Sequence, residues 1–497
     1  MLKPTIKAEG TTPGEKHLAQ LAEKTFIGLW SYPNIYRDEG ISKNGTGQEV
    51  ADLLVCFGDT IIIFSEKDIS FKENPDIQVA WGRWYRSSIK DSITQLRGAE
   101  SFIRSHPTRL FLDKECTLRF PLNIDPLNIK IHLVAVTRNS YDHCKKYFDE
   151  TMVGSTGSLV YISSFNEEKN LKHPFSIGDF DKTKTFIHVL DEFSLPLLLT
   201  ELDTISDFIH YLQTKEKCIR KMSLVQILGE EDFLAYYMLN RTSDGYGNFS
   251  YAASGDQASV LLIPEGQWNS FKKSLEYIVL SGMKNEGQLW LEILNRFSKS
   301  ILTANVGEGK NFSIMSHERV MRILASENRA SRSILAKALY VKYKSVEIDR
   351  RSARLVQSMC VPERLYVFLF VPHDESHVDY EDYRKERLDF MNAYGMVAMY
   401  RYPDQKEIVV IGVDTKGSKI CSETIIAIDA SVPLTSEERS QAQKIMLDGE
   451  ILNSMTGQLK TTKLNKNVHV AKRRGNIGRN QPCPCGSNKK NKHCCQY

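Results

Sequence analysis

Apolar positions along the chain fall into runs of different period, and the densest lies between Gln48 and Asp68. Residues 51–57 and 60–67 are two nearly continuous apolar runs separated by Gly58-Asp59. Two such runs around a Gly/Asp pair predict a β-hairpin. Asp52 opens the first strand, and Glu66 and Lys67 close the second. Charge at the edge of an apolar hairpin needs a reason, because burying it is costly unless it is paired or binds metal. Upstream, Leu18, Leu21, Ala22, Thr25 and Leu29 recur at helical spacing behind Thr12-Pro13-Gly14-Glu15. That tetrapeptide is a capping box with proline at the first helical position, so a helix is predicted over 12–29. Glu15 therefore has a structural role, and it also lies on the inward stripe, where an acid at a helix start can touch a metal. Residues 31–47 read as a polar loop and 69–79 as irregular. A long helix is predicted over 80–104, with Tyr85, Ile89, Ile93, Leu96 and Ile103 as its apolar stripe. Trp81, Trp84, Arg83, Arg86, Lys90 and Gln95 lie beside that stripe. Aromatic and basic residues together suit either a phosphate backbone or a tryptophan-packed helix with a solvated basic face.

Further strands are predicted over 129–136, 159–162 and 185–190, then a helix over 195–212. That helix carries Glu201, Asp203 and Asp207; Asp203 and Asp207 sit one turn apart and read as surface or capping acids in preference to metal ligands. Residues 221–345 read as mainly helical, over 223–239, 267–281, 286–300 and 317–344, with a Gly/Ser/Asn loop at 241–255. From 346 the pattern returns to α+β. Strands are predicted over 364–371, 396–402, 407–413 and 424–428, and helices over 380–394 and 432–459, with Gly395 ending the first of these helices. His373, Asp374 and His377 follow a strand and read as a polar connecting loop in preference to a ligand set. The fold class is α/β, and the pattern divides the chain at 1–220, 221–345, 346–459, 460–475 and 476–497.

Composition changes this picture in two places. Over 497 residues, 41% hydrophobic and 25% charged content fits a soluble globular protein with more than one core. The start of the chain has no secretion pattern and no apolar run is long enough for a bilayer, so a cytoplasmic protein without membrane insertion is expected. The formal net charge is +4, yet residues 460–497 carry ten Lys or Arg and no acid, which leaves the first 459 residues at −6. A basic tail on an acidic body is either an interaction tail for nucleic acid or another polyanion, or a solvated linker. Cysteine is split too. Four of ten, Cys483, Cys485, Cys494 and Cys495, lie in the last fifteen residues. The other six are scattered and read as reduced thiols.

A segment as short as 476–497 cannot build a hydrophobic core. Four thiolates around one Zn2+ would supply its folding energy, on the order of 10 kcal/mol. Gly486 and Ser487 allow the turn that aims the early pair at one ion, and His493 is an alternative to one of the late pair. The sequence GRNQPCPCGSNKKNKHCC resembles the SEC-C motif, a zinc-binding module also found on the preprotein translocase ATPase. Its cysteine spacing matches in full, with Asn488, Asn491 and His493 as departures. The resemblance implies zinc held by the four cysteines and a docking tail for a protein, ribosome or nucleic-acid partner.

The helix with Glu15, the hairpin with Asp52 and Lys67, and the following helix resemble the PD-(D/E)XK nuclease superfamily over about residues 10–210. The resemblance implies a restriction-endonuclease-like domain whose carboxylates hold Mg2+ and whose lysine orients the attacking water. In that family an acid stands two residues before the lysine, where this chain has Ser65. Residues two apart share a strand face, so a bulge would have to bring Glu66 inward, or Glu15 or Gln95 would complete the shell. The expected site is Glu15, Asp52, Glu66 and Lys67, with Mg2+ on Asp52 and Glu66. Two functions follow from these readings: a metal-dependent nuclease acting on DNA or RNA, or a non-catalytic nucleic-acid, ribosome or chaperone binding protein that uses the tail.

Overall fold

The structure, a computed structural model, describes residues 2–150, 157–163, 171–222, 224–249, 260–307, 309–373, 377, 379–416 and 422–453. By contacts the chain divides into residues 1–460 and 461–497. The described residues all belong to the first unit, a mixed α/β body with three small sheets. The four cysteines and His493 of the tail, and Asp374, lie outside the described residues.

The first sheet starts from the predicted hairpin. β1 (Ser31–Arg37), β2 (Gln48–Phe57) and β3 (Thr60–Lys67) run antiparallel, and β4 (Leu110–Phe111) adds to the outer edge of β1. β5 (Lys130–Thr137) then pairs parallel with β3. β6 (Val160–Ile162) and β7 (Ser176–Ile177) belong to the second sheet, and β8 (Ile187–Leu190) returns to close the first beside β5. The strand order is β4-β1-β2-β3-β5-β8. The central strands are buried on both faces, which explains their unbroken apolar runs. The helix Pro13–Trp30 packs on one face, with Phe26 6.1 Å from Phe64. The helix Asp91–Ser105 packs on the other, where it meets Ser65 and Lys67.

The stretch 31–47 contains a strand where a loop was expected. β1 sits between β2 and β4, with Tyr32 and Ile35 fully buried. Its burial comes from neighbours that are distant in sequence, which its own polar composition does not reveal. The long helix expected over 80–104 is Ile77–Tyr85 joined to Asp91–Ser105 through a π-turn at Arg86–Lys90. Trp81 and Trp84 are buried and stack on each other at 5.4 Å. They are core residues, and no nucleic-acid platform is formed by them. Arg83, Arg86 and Lys90 are exposed.

The helical expectation for 221–345 holds only in part. β9 (Leu224–Ile227) and β10 (Val260–Ile263) pair parallel, and the second sheet runs β10-β9-β6-β7. Both short runs alternate exposed and buried, a period too brief to separate from a helix by sequence. The expected helix over 195–212 breaks into Ser194–Glu201 and Ile205–Lys221, with Thr204 capping the second by accepting from the Asp207 amide at 2.9 Å. Asp203 and Asp207 both serve Arg329: Asp203 pairs with its guanidinium at 2.6 Å and Asp207 accepts its amide at 2.8 Å.

The third sheet is β11 (Ser352–Gln357), β12 (Arg364–Val371), β13 (Glu407–Asp414) and β14 (Glu423–Asp429), in that order. β12 and β13 are parallel and connected through the helix Tyr380–Arg401. No strand forms at 396–402. Gly395 lies inside that helix, where a Cβ would collide with Ile428 of β14, so its glycine serves close packing and not a helix end. One face of this sheet packs on Tyr380–Arg401 and Ser436–Asp448. The other face joins the main core, where Trp290 meets Tyr366 edge-on at 5.4 Å. Among the described residues no helix is long and apolar enough to cross a membrane.

Candidate functional site at the mouth of the hairpin

The pairing of β2 with β3 sets the site. Leu53 pairs with Phe64, so the next positions outward, Asp52 and Ser65, face each other. Side chains two apart share a face, which puts Lys67 with Ser65 and Asp52, towards the helix Asp91–Ser105. Gln95 of that helix joins them. Its Nε2 donates to Asp52 Oδ1 at 3.4 Å, and its Oε1 accepts from Lys67 Nζ at 2.7 Å and from Ser65 Oγ at 3.0 Å. The other Asp52 oxygen accepts the Glu66 amide at 2.5 Å.

Glu66 itself turns the other way. β3 pairs with β5 without a register break from Thr60 to Lys67, so alternation is kept and no bulge swings Glu66 inward. Its carboxylate forms an ion pair with Arg138 and lies against Gly14, at the positive end of the first helix. Any larger residue at position 14 would occupy that space. The expectation of Glu66 beside Asp52 as a metal ligand is corrected accordingly: its carboxylate is held on the opposite face of the sheet.

A bulge does occur, but on β2. Ile35 of β1 pairs with Ala51 and its successor Tyr36 with Glu49, leaving Val50 as the extra residue. A spacing of three would put Glu49 and Asp52 on opposite faces of a regular strand. With the bulge, Glu49 comes within electrostatic reach of Asp52. Asn34, buried in β1 with a positive φ of 47°, then links two acids: its Nδ2 donates to Glu15 Oε2 at 2.9 Å and to Glu49 Oε1 at 2.7 Å. Glu15 keeps its capping role as well, with Oε2 accepting the Thr12 amide at 3.4 Å and also the Thr11 amide at 2.8 Å. Glu49 and Asn34 carry no sequence signal that singles them out; the bulge and the left-handed Asn34 become visible only with β1 in place.

The electrostatics of this cluster are unbalanced. Burial raises the Asp52 pKa to about 6 and the negative charge of Glu15 adds to this, against the Glu66 amide, Lys67 and Gln95, which lower it. Burial raises Glu49 to about 7, with Asp52 and Glu15 adding, against the Asn34 hydrogen bond and Lys67. For Glu15 burial also acts upward, but the hydrogen bonds from Asn34, Thr11 and Thr12 outweigh it and leave the pKa below the usual value. The Asn34 Oδ1 is buried and has no hydrogen-bond partner among the described residues. Carboxylates pushed upward by burial and by each other, beside an orphaned amide oxygen, suit a hard cation. Among the described residues no group of three or more His, Cys, Asp or Glu is arranged to hold a metal ion. Magnesium commonly takes only one or two carboxylates and keeps its remaining shell as water and phosphate, so Asp52 and Glu49 fit that ion in number and kind.

Elsewhere, His377 pairs with Glu386 at 2.5 Å, and its ring centroid lies 5.5 Å from that of His373. Comparison with known proteins adds one element. Residues 479–496 match the model of the SEC-C motif. The match covers only that short C-terminal stretch. No curated protein and no solved structure matches the chain. None of these comparisons shows a PD-(D/E)XK superfamily relationship for residues 10–210.

Proposed function

We propose that this chain is a Mg2+-dependent nuclease of the PD-(D/E)XK type, with a zinc-stabilised SEC-C tail as its docking element. The observation that carries the reading is the meeting of Asp52, Lys67 and Gln95 at one end of a buried hairpin, with Glu49 and Glu15, linked to each other by Asn34, within electrostatic reach of Asp52. Asp52 and Glu49 would hold the metal, and Glu15 would hold Asn34 in place. When bound, Mg2+ supplies neutralisation of the phosphodiester charge and acidification of a water. Lys67 would orient that water or balance charge developing on phosphorus, with Gln95 fixing the ammonium through its Oε1. Ser65 cannot supply the usual carboxylate, and Glu49 takes over that charge from the neighbouring strand. The ten basic residues of the tail support a nucleic-acid substrate.

The test is cleavage of single- and double-stranded DNA and RNA in Mg2+, Mn2+ and EDTA. Cleavage of at least one substrate should need the metal, and Asp52→Ala and Lys67→Ala should each lower it by roughly a hundredfold or more. Inactivity on all four substrates, or full activity in Asp52→Ala, would sink the assignment. The binding-only alternative would then stand, with the tail as its functional part. For the tail, Cys483, Cys485, Cys494 and Cys495 would hold one Zn2+. Elemental analysis should find one zinc per chain, lost in Cys483→Ser; stoichiometric zinc in that variant contradicts the ligand set.

A further inference from the structure

The hairpin has a second end. Its Gly58-Asp59 turn lies seven residues of strand away from Lys67, on the order of 23 Å at ordinary strand rise. There it borders a cleft of about 690 Å3, within the size range of small-ligand sites. Two helix stripes flank it. Ser206, Ile209, His210 and Gln213 come from Ile205–Lys221. Arg319, Arg322, Ile323 and Ser326 come from Ile314–Ala325 and its C-cap. Both sets follow the 0, 3, 4, 7 spacing that lines one face of a helix. Tyr246 and Phe57 add aromatic surface, and the starts of β12 and β13 contribute Arg364 and Glu407.

The charges divide into matched and spare. Lys130 pairs with Asp59 at 2.9 Å, and Arg364 is held by Glu407 and by fully buried Glu327. Arg322 meets Glu318 at 3.2 Å, but Glu318 also accepts from Trp30 Nε1 at 2.8 Å. Arg319 is 66% exposed in its side chain and reaches Asp429 only at 3.8 Å. The turn glycine makes room for one of these cations: a Cβ on Gly58 would stand 2.6 Å from Arg322 Nη1, and its φ of +62° suits glycine independently. Across the cleft, His210 stacks on Tyr246 with ring centroids 4.3 Å apart and planes 19° off parallel. Burial lowers the His210 pKa, so this stacked pair is an uncharged flat surface.

We propose that this cleft binds a nucleoside phosphate, with its phosphate on Arg319 and Arg322 and its base beside His210 and Tyr246. Arginine recognises phosphate with two parallel donors, and aromatic surfaces accept any heteroaromatic base. Gln213 supplies a neutral hydrogen-bonding group between the two ends, while Ser206 bonds to Tyr246 Oη at 2.5 Å and Ser326 accepts from Arg364 at 2.8 Å. The site is separate from the hairpin mouth and does not depend on the nuclease reading.

The test is calorimetric titration of the full chain with AMP, ATP and inorganic pyrophosphate, in EDTA so that no metal site contributes. One site per chain is expected for ATP or AMP. Arg319→Glu should weaken it roughly tenfold or more, Arg319→Lys, which keeps the charge and loses the second donor, should weaken it less than Arg319→Glu does, and Asp52→Ala should leave it unchanged. Arg319 is exposed, so its replacement leaves the core intact. No binding of any probe at millimolar concentration, or equal binding in Arg319→Glu, would overturn the proposal. Pyrophosphate binding as tightly as ATP would overturn the placement of the base. Loss of binding in Asp52→Ala would assign the ligand to the hairpin mouth.

Discussion

Asp52 and Asp414 are both buried acids on strands, and their surroundings differ in one respect. Asp414 of β13 is fully buried beside fully buried Arg387. It also accepts from Tyr380 Oη and Tyr383 Oη at 2.7 Å each, and from the Ser422 amide at 3.3 Å. Arg387 in turn donates to Ser422 Oγ and Thr424 Oγ1 at 2.9 and 2.8 Å. Charge is matched and both carboxylate oxygens are engaged, so the group fastens a helix to the end of the third sheet. Among the described residues no ion pair joins Asp52 to an arginine. Lys67, which lowers its pKa, bonds to Gln95, while Glu15 raises that pKa and Glu49 feels the Asp52 charge. The lesson is that burial alone does not mark a site; uncompensated burial does.

Breaking the matched pair should give the largest effect. Arg387→Met leaves Asp414 without its cation in the interior and should cost about 3–5 kcal/mol in denaturant unfolding. A loss below about 1 kcal/mol would mean the pair is no better compensated than Asp52, and the contrast would fail. Next comes Glu66, which touches neither acid through its side chain. Glu66→Gln weakens the pairing with Arg138 and should cost about 1–2 kcal/mol while leaving metal-dependent cleavage within roughly threefold of wild type. A hundredfold fall in cleavage at unchanged stability would return Glu66 to the site.

The smallest effect is the most specific. Because the Glu49 pKa is raised in the folded chain, to about 7, folding favours its protonated form. That contribution is present below the ordinary carboxylate pKa and is lost as pH rises through about 7. Glu49→Gln keeps the neutral shape, so it should be nearly neutral at pH 5 and stabilising by on the order of 1 kcal/mol at pH 8. Thermal melts at the two pH values read this directly, and Mg2+ should remove the difference by stabilising the wild-type carboxylate. An equal effect at both pH values would mean that Glu49 is already compensated.

The features legible in the sequence are those whose causes are local. Gly58-Asp59 between apolar runs makes the hairpin, Thr12 to Glu15 caps the first helix, and Arg364–Val371 is too apolar to be anything but buried. The tail is the extreme case, since cysteine spacing is itself the signal and residues 479–496 match their motif with no fold required. The hairpin mouth was half legible. Asp52 and Lys67 share a face because strand alternation is local, and the same rule excludes Glu66. What only the tertiary structure decided depends on partners far along the chain. β1 is a strand because β2 and β4 flank it, Gly395 is a packing contact because Ile428 leans on it, and Trp81 and Trp84 are core because Phe175 and Phe71, from segments outside their helix, pack on them. Glu49 reaches Asp52 only because β1 forces a bulge on β2, and Asn34 reaches Glu15 only because β1 carries it there. Local sequence sets dihedral preference and face, whereas proximity between separate segments is settled by packing, which couples residues that no spacing rule connects.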